Sequence, residues 1–157
     1  MELILVRHGI AEDPEAARSD EERRLTAEGK EKVIRIAKAL RKRVDKIKII
    51  YHSPFLRAVE TAALFAKEFG DAELEIVERI TPHHGPGAVL KLLETHGPED
   101  VVMIVGHEPH LSSLASLLMT GSEAPVLEFK KAGVACLESW NGKNRFRLKY
   151  LISPGWL

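Results

Sequence analysis

Leu3-Ile4-Leu5-Val6-Arg7-His8-Gly9 runs four apolar residues straight into a cation, an imidazole and a glycine. An unbroken apolar run of this kind marks a strand buried on both faces, as in a parallel sheet. Sheets of that type bind ligands beyond the carboxyl ends of their strands. Arg7 and His8 are therefore predicted at the mouth of the sheet. Gly9 permits a sharp turn and a close backbone approach. An arginine beside a histidine there suits a cluster of anionic oxygens held near a nucleophile or base.

Outward from this strand, strands and helices alternate. Residues Ile10 to Arg24 are highly charged and read as a surface loop, with a turn at Asp13-Pro14. Thr26 is placed to cap a helix over Ala27–Arg43, whose Val33, Ile36, Ala37 and Leu40 share one face. Ile47–Tyr51 reads as a second buried strand, followed by His52-Ser53-Pro54. Pro54 fits a helical first turn, which predicts a helix over Phe55–Phe69 with Ala58, Ala62, Phe65 and Ala66 toward the core. Arg57 and Thr61 lie one turn apart on it. Leu74–Val77 is a third, shorter strand. Thr81–Gly87, with its prolines, glycines and the pair His83-His84, is a loop, and Ala88–Thr95 a short helix. Val101–Val105 is a fourth apolar strand that ends in Gly106-His107-Glu108-Pro109, and a helix follows over His110–Met119. Val134–Trp140 and Phe146–Ile152 flank Asn141-Gly142, a hairpin signal. This order predicts an α/β fold: a three-layer sandwich on a mostly parallel central sheet, with a C-terminal antiparallel hairpin.

Composition narrows the function. The 157 residues suit a single domain, and 45% hydrophobic with 29% charged residues is ordinary for a globular protein. Lys+Arg and Asp+Glu both number 23. A net charge of zero argues against bulk electrostatic binding to nucleic acid or an anionic membrane. No apolar run reaches membrane-spanning length, and the chain enters its first strand without a signal-peptide pattern. The single Cys136 excludes an internal disulfide and suits a reducing cytoplasm.

Three predicted strands end in chemically rich turns: Arg7-His8-Gly9, His52-Ser53-Pro54 leading to Arg57, and Gly106-His107. In an α/β fold these ends share one edge, so two arginines and two histidines converge. That set suits a tetrahedral dianion, because arginine makes forked, charge-assisted bonds to phosphoryl oxygens.

Arg7-His8-Gly9, SPFLRAVET from Ser53 to Thr61 and Gly106-His107, in this order, resemble the histidine phosphatase superfamily, also called phosphoglycerate mutase-like. Arg24-Leu25-Thr26 with Gly29, and Thr81-Pro82, resemble its short bacterial branch, the phosphohistidine phosphatases. The resemblance implies the phosphoglycerate mutase-like fold and His8 as a nucleophile that forms a phosphohistidine intermediate. It implies that Arg7, Arg57 and His107 bind the phosphoryl oxygens and stabilise their charge. It implies no metal and no cofactor. Many members use a carboxylate as proton donor. Here Glu78, ahead of Thr81-Pro82, and Glu108, next to His107, are the candidates, and the absence of a dedicated acid is the third alternative. Where the short branch often places its acid, this chain has Arg79. An alkoxide leaving group needs a proton in the transition state. A phosphoimidazole leaves as neutral imidazole if its ring is already protonated, so a missing acid favours a phosphohistidine substrate.

The short span from Arg57 to His107 leaves little chain to roof the site. An open cleft suits a phosphorylated side chain on another protein. The expectation is thus a cytoplasmic, monomeric phosphohistidine phosphatase acting on a phosphorylated protein. A phosphatase for small phosphomonoesters is the second reading, and a non-catalytic phosphoprotein-binding module the third. Taken alone, each residue has a plainer explanation: Arg57 a surface charge, His107 a helix-start histidine, His52 a strand-end cap, His96 a loop residue. His83-His84 and His107-x-x-His110 invite a metal reading, yet adjacent histidines point apart and no HExxH spacing is present. Cys136, Trp140 and Trp156 read as core or core-edge residues. Lys130-Lys131 is a basic pair suited to an acidic partner, with no role assigned.

Overall fold

The computed structural model describes residues 1–70, 72–140 and 145–157. Its central strand is β1 (Glu2–Arg7), in which Leu3 to Val6 are fully buried. Alongside it lie β2 (Ile49–His52), β3 (Glu73–Ile76), β4 (Val101–Gly106), β5 (Val134–Ser139) and β6 (Phe146–Ile152), in the order β3-β2-β4-β1-β5-β6. The pairs β3–β2, β2–β4 and β4–β1 are parallel. The pairs β1–β5 and β5–β6 are antiparallel.

Successive side chains of a strand point to opposite faces. Ile4 and Val6 accordingly pack with the apolar stripes of α1 (Ala27–Arg41) and α2 (Leu56–Glu68). Leu3 and Leu5 pack on the other face with α3 (Gly87–Leu93) and α4 (His110–Thr120). Helices cover both faces, which is why β1 needs an unbroken apolar run. Among the described residues, no helix is long and apolar enough to cross a membrane.

Register decides where the site forms. Arg7 pairs with Gly106, and His52 with Val105. The ladders run on for one more bond each: the His8 N–H donates to Gly106 O at 3.0 Å, and the Ser53 N–H to Val105 O at 3.1 Å. Three adjacent parallel strands therefore end level, and residues 8, 53 and 107 leave the sheet side by side.

Several boundaries differ from the sequence reading. α1 stops at Arg41, and Ile47 is buried but lies ahead of its strand. β3 is an edge strand with all four residues exposed. Trp140 and Trp156 do not cover the core: they are 52% and 86% exposed. β5 and β6 pair as expected, with an irregularity in register between Cys136 and Leu137, while Asn141-Gly142 falls outside the described residues. Cys136 is buried, and burial pushes its thiol up to about 11.

The charged loop after Gly9 is tied down at both ends. The Thr26 hydroxyl accepts the Gly29 N–H at 3.0 Å, capping α1, and the Thr26 N–H donates to Ile10 O at 2.9 Å. Gly29 lets the loop touch the helix, since a Cβ there would sit 2.1 Å from Ile10 O. Backbone on both sides leaves that clash no easy relief. Gly29→Ala is expected to cost ~1–3 kcal/mol through overpacking, read as a lower urea midpoint. An unchanged midpoint would show that the loop is not packed on α1 in this way.

Candidate active site

The level strand ends bring Arg7, His8, Arg57 and His107 to one edge. His8 is 4% exposed, and its Nδ1 lies 2.7 Å from Gly9 O. A carbonyl only accepts, so Nδ1 carries the proton and Nε2 keeps a lone pair. That lone pair accepts from Arg57 Nε at 3.3 Å. Burial, with Lys131, His107 and Arg57 close by, pushes the His8 pKa down to about 2. The ring is neutral at physiological pH.

Gly9 packs where a Cβ would lie 2.8 Å from Val33 Cγ2 and 3.1 Å from Gly29 O. Its N–H donates to Thr61 Oγ1 at 3.1 Å, and the Thr61 hydroxyl donates to Arg57 O at 2.7 Å. One hydroxyl thus ties the turn after β1 to the first turn of α2, which fixes Arg57 relative to His8. Arg57 is buried, with its guanidinium carbon 5.0 Å from the centre of the Phe55 ring. His107 is buried behind the same ring, 5.0 Å from it and 5.0 Å from the His8 ring. Its Nε2 is hydrogen-bonded to Ser53 Oγ at 2.7 Å. Burial, reinforced by Arg57, pushes the His107 pKa down to about 3. Without an anion beside it, His107 is neutral too. Arg7 Nη1 donates to Phe129 O at 2.6 Å, while its buried Nε has no partner among the described residues. An unmet buried donor is costly, and an anion is what a guanidinium would recruit to it.

Three contributors escape the sequence reading. Ser53 and Thr61 lie within the SPFLRAVET stretch, yet nothing local shows that their hydroxyls bind His107 and Gly9. Asp20, one acid in a run of charges, accepts from Arg57 at 3.1 Å and from Arg23 at 2.9 Å. The Asp20 carbonyl takes a second Arg57 bond at 2.6 Å. Burial raises the Asp20 pKa, but the bonds from Arg23 and Arg57 outweigh it and hold the carboxyl below its ordinary value. The 10–24 loop thus lies against the start of α2, where the Leu56 N–H also donates to Glu21 O at 2.8 Å.

The two carboxylates proposed as acids lie differently. Glu78 is exposed and lines a surface hollow with Arg79, Ala88 and Lys91 that none of the four site residues lines. Glu108 Oε1 accepts the Ser112 N–H at 3.2 Å and serves the start of α4. Thr81 is buried and bonds its hydroxyl to His84 Nδ1 at 2.7 Å, while His83 and His84 are exposed. His96 is packed rather than free, with its Nε2 2.9 Å from Tyr51 Oη. Among the described residues, no three His, Cys, Asp or Glu side chains are grouped to hold a metal ion. Guanidinium groups can hold a tetrahedral oxyanion, and the Nε2 lone pair of a neutral imidazole, here in a long bond from Arg57, can attack its centre.

Residues 3–84 match the histidine phosphatase superfamily (branch 1). The chain is 32% identical over 163 residues to an uncharacterized protein of Picosynechococcus sp., covering 100% of this chain and 99% of that one. It is 31% identical over 150 residues to the phosphohistidine phosphatase SixA of Escherichia coli, covering 90% and 89%. A solved structure of the protein histidine phosphatase SixA complexed with tungstate superposes with a TM-score of 0.83 at 26% identity, over 99% and 98% of the two chains. A mycobacterial glucosyl-3-phosphoglycerate phosphatase in complex with VO3 shares the fold, with a TM-score of 0.76 at 18% identity over 95% and 97%. The chain belongs to the histidine phosphatase superfamily. Its activity is that of a phosphatase of this superfamily.

Neutral buried histidines make the fold acid-sensitive. His110, 2% exposed and without a partner for either ring nitrogen among the described residues, joins His8 and His107, and burial pushes its pKa down to about 4. In the unfolded chain all three take up a proton near 6.5, whereas the folded protein does so only well below. Between those values the unfolded state binds more protons, so stability falls as pH falls below 6.5. Urea unfolding at pH 7 and pH 5 is expected to show this loss. His110→Leu should shallow the slope by ~1.4 kcal/mol per pH unit, one proton's share. An equal slope in the variant would mean that His110 is not held neutral.

Proposed function

We propose that this protein removes the phosphoryl group from phosphohistidine on another protein, through a covalent intermediate on His8. The observation that carries the reading is the His8 Nε2 lone pair, with its tautomer set by Gly9 O and Arg57 at 3.3 Å. Arg7, Arg57 and His107 hold the phosphoryl oxygens. The Nε2 lone pair forms a bond to phosphorus as the bond from phosphorus to the substrate imidazole breaks. The electron pair of that bond leaves with the imidazole, which departs neutral when its other nitrogen already carries a proton. Phosphorylated His8 is then an imidazolium, and its Nδ1–H stays on Gly9 O, which favours the positive charge. Water next forms a bond to phosphorus as the P–Nε2 bond breaks and its electron pair returns to Nε2, and both of the water's protons leave with inorganic phosphate, which passes one on to solvent. His8 returns to its neutral starting tautomer.

Two features support phosphohistidine over an alkyl phosphate. Glu78 is exposed and holds no site residue, and Glu108 is engaged by the Ser112 N–H. A leaving imidazole does without the acid that an alkoxide requires. The similarity to phosphohistidine phosphatase SixA points the same way. Cationic side chains neutralise the phosphoryl charge, and the reaction as written needs no metal.

The deciding assay is phosphate release in chelator from a phosphohistidine-carrying protein and from an aryl phosphate. Wild type is expected to turn over the phosphohistidine protein, and His8→Ala to lose at least ~10³-fold. Turnover of the aryl ester alone would replace the substrate class with small phosphomonoesters. No turnover of either by a folded protein that still binds the phosphoprotein would make the chain a binding module. Activity lost in chelator and restored by zinc or magnesium would overturn metal independence.

A further inference from the structure

Lys131 sits where the chain returns to the site before β5. The residues around it are bonded to the end of β1. Phe129 O accepts from Arg7 Nη1 at 2.6 Å, the Ala132 N–H donates to His8 O at 3.1 Å, and Gly133 O accepts the Arg7 N–H at 3.0 Å. The Gly133 N–H closes the turn on Lys130 O at 2.8 Å. Ala132 is buried and has a φ of 58°, a left-handed conformation that an alanine adopts only at a cost. This segment is therefore pinned on Arg7 and His8 on both sides of residue 131.

The two lysines of the turn go separate ways. Lys130 is exposed and pairs with Glu128 at 3.1 Å. Lys131 is partly buried and has no carboxylate within 4.0 Å among the described residues. The charged and titratable groups whose fields reach it are Arg7 and His8 at the end of β1, Asp20 and Arg23 of the loop, Arg57 on α2, and His107 after β4. Of these only Asp20 is an anion, and its carboxylate is taken by Arg57 and Arg23. An ammonium group in the field of three guanidinium groups and one engaged carboxylate lacks a counter-charge. Burial, then Arg7, Arg23 and Arg57, push its pKa down to about 8. A phosphoryl dianion at His8 supplies the missing charge.

We propose that Lys131 is a further phosphoryl-binding residue, its ammonium pairing with the group held by Arg7 and Arg57. The assignment rests on the phosphatase reading above. It differs from a structural role in two respects: it needs a positive charge at position 131, and it makes anion binding depend on the protonation of that charge. As pH rises through 8, free Lys131 loses its proton, so binding weakens. An arginine in its place keeps the charge throughout.

The test is calorimetric binding of inorganic phosphate by wild type, Lys131→Met and Lys131→Arg, with turnover of the phosphohistidine protein measured alongside. Lys131→Met is expected to weaken phosphate binding about tenfold and raise KM, and Lys131→Arg to restore both. Wild-type affinity should fall between about pH 8 and 9.5, where phosphate itself is already mostly a dianion, while that of Lys131→Arg stays level. Should Lys131→Met fail to fold, the two pH profiles decide alone. Equal affinities and parallel profiles, with His8→Ala still inactive, would overturn the role of Lys131 and leave the phosphatase reading standing. A wild type that binds no phosphate and turns over neither substrate would overturn both.

Discussion

The parallel pairing of β4 between β1 and β2 is the constraint on which the rest depends. Arg7 opposite Gly106 and His52 opposite Val105 bring three strand ends level. A shift of one residue in either ladder would turn every side chain of a strand to the other face. The buried helices on both faces forbid that, because Ile4 and Val6 belong to one core and Leu3 and Leu5 to the other. The hydrophobic core thus sets the register, and the register sets the spacing of His8, Ser53 and His107.

Once the strand ends are placed, the site becomes a problem of charge. Burial removes the histidines' protons but cannot remove those of the arginines, whose pKa is far too high. The fold therefore holds neutral imidazoles among permanent cations. Asp20 offsets part of this excess by reaching across from the 10–24 loop to Arg57 and Arg23. The same contact fixes the loop on the start of α2, so the organisation of the loop and the electrostatics of the site are one arrangement. The Thr61 hydroxyl, between Gly9 and the Arg57 carbonyl, makes the join on the other side.

Local pattern carries much of the architecture. The apolar runs at Leu3–Val6 and Val101–Val105 read as buried central strands because helices on both faces demand that composition. Thr26 announces α1 because a hydroxyl is needed for the first free N–H groups. The pattern is weaker where tertiary neighbours decide. Glu73–Ile76 alternates like a half-buried strand but is exposed at the sheet edge, since its position depends on which strand pairs beyond it. Trp140 and Trp156 are hydrophobic by type but lie where the chain offers no core to cover.

The amino-acid order alone determined which residue types end each strand: Arg7-His8, Ser53 with Arg57 one turn on, and His107. These follow from short-range rules of strand, turn and helix start, so they are legible without a partner. Only the tertiary structure decided that Asp20 meets Arg57 and that the turn carrying Lys131 returns to the end of β1. Those pairings join segments tens of residues apart. Nothing in a local window encodes them, because they are fixed by sheet register and by the exclusion of water from a shared cation-rich edge.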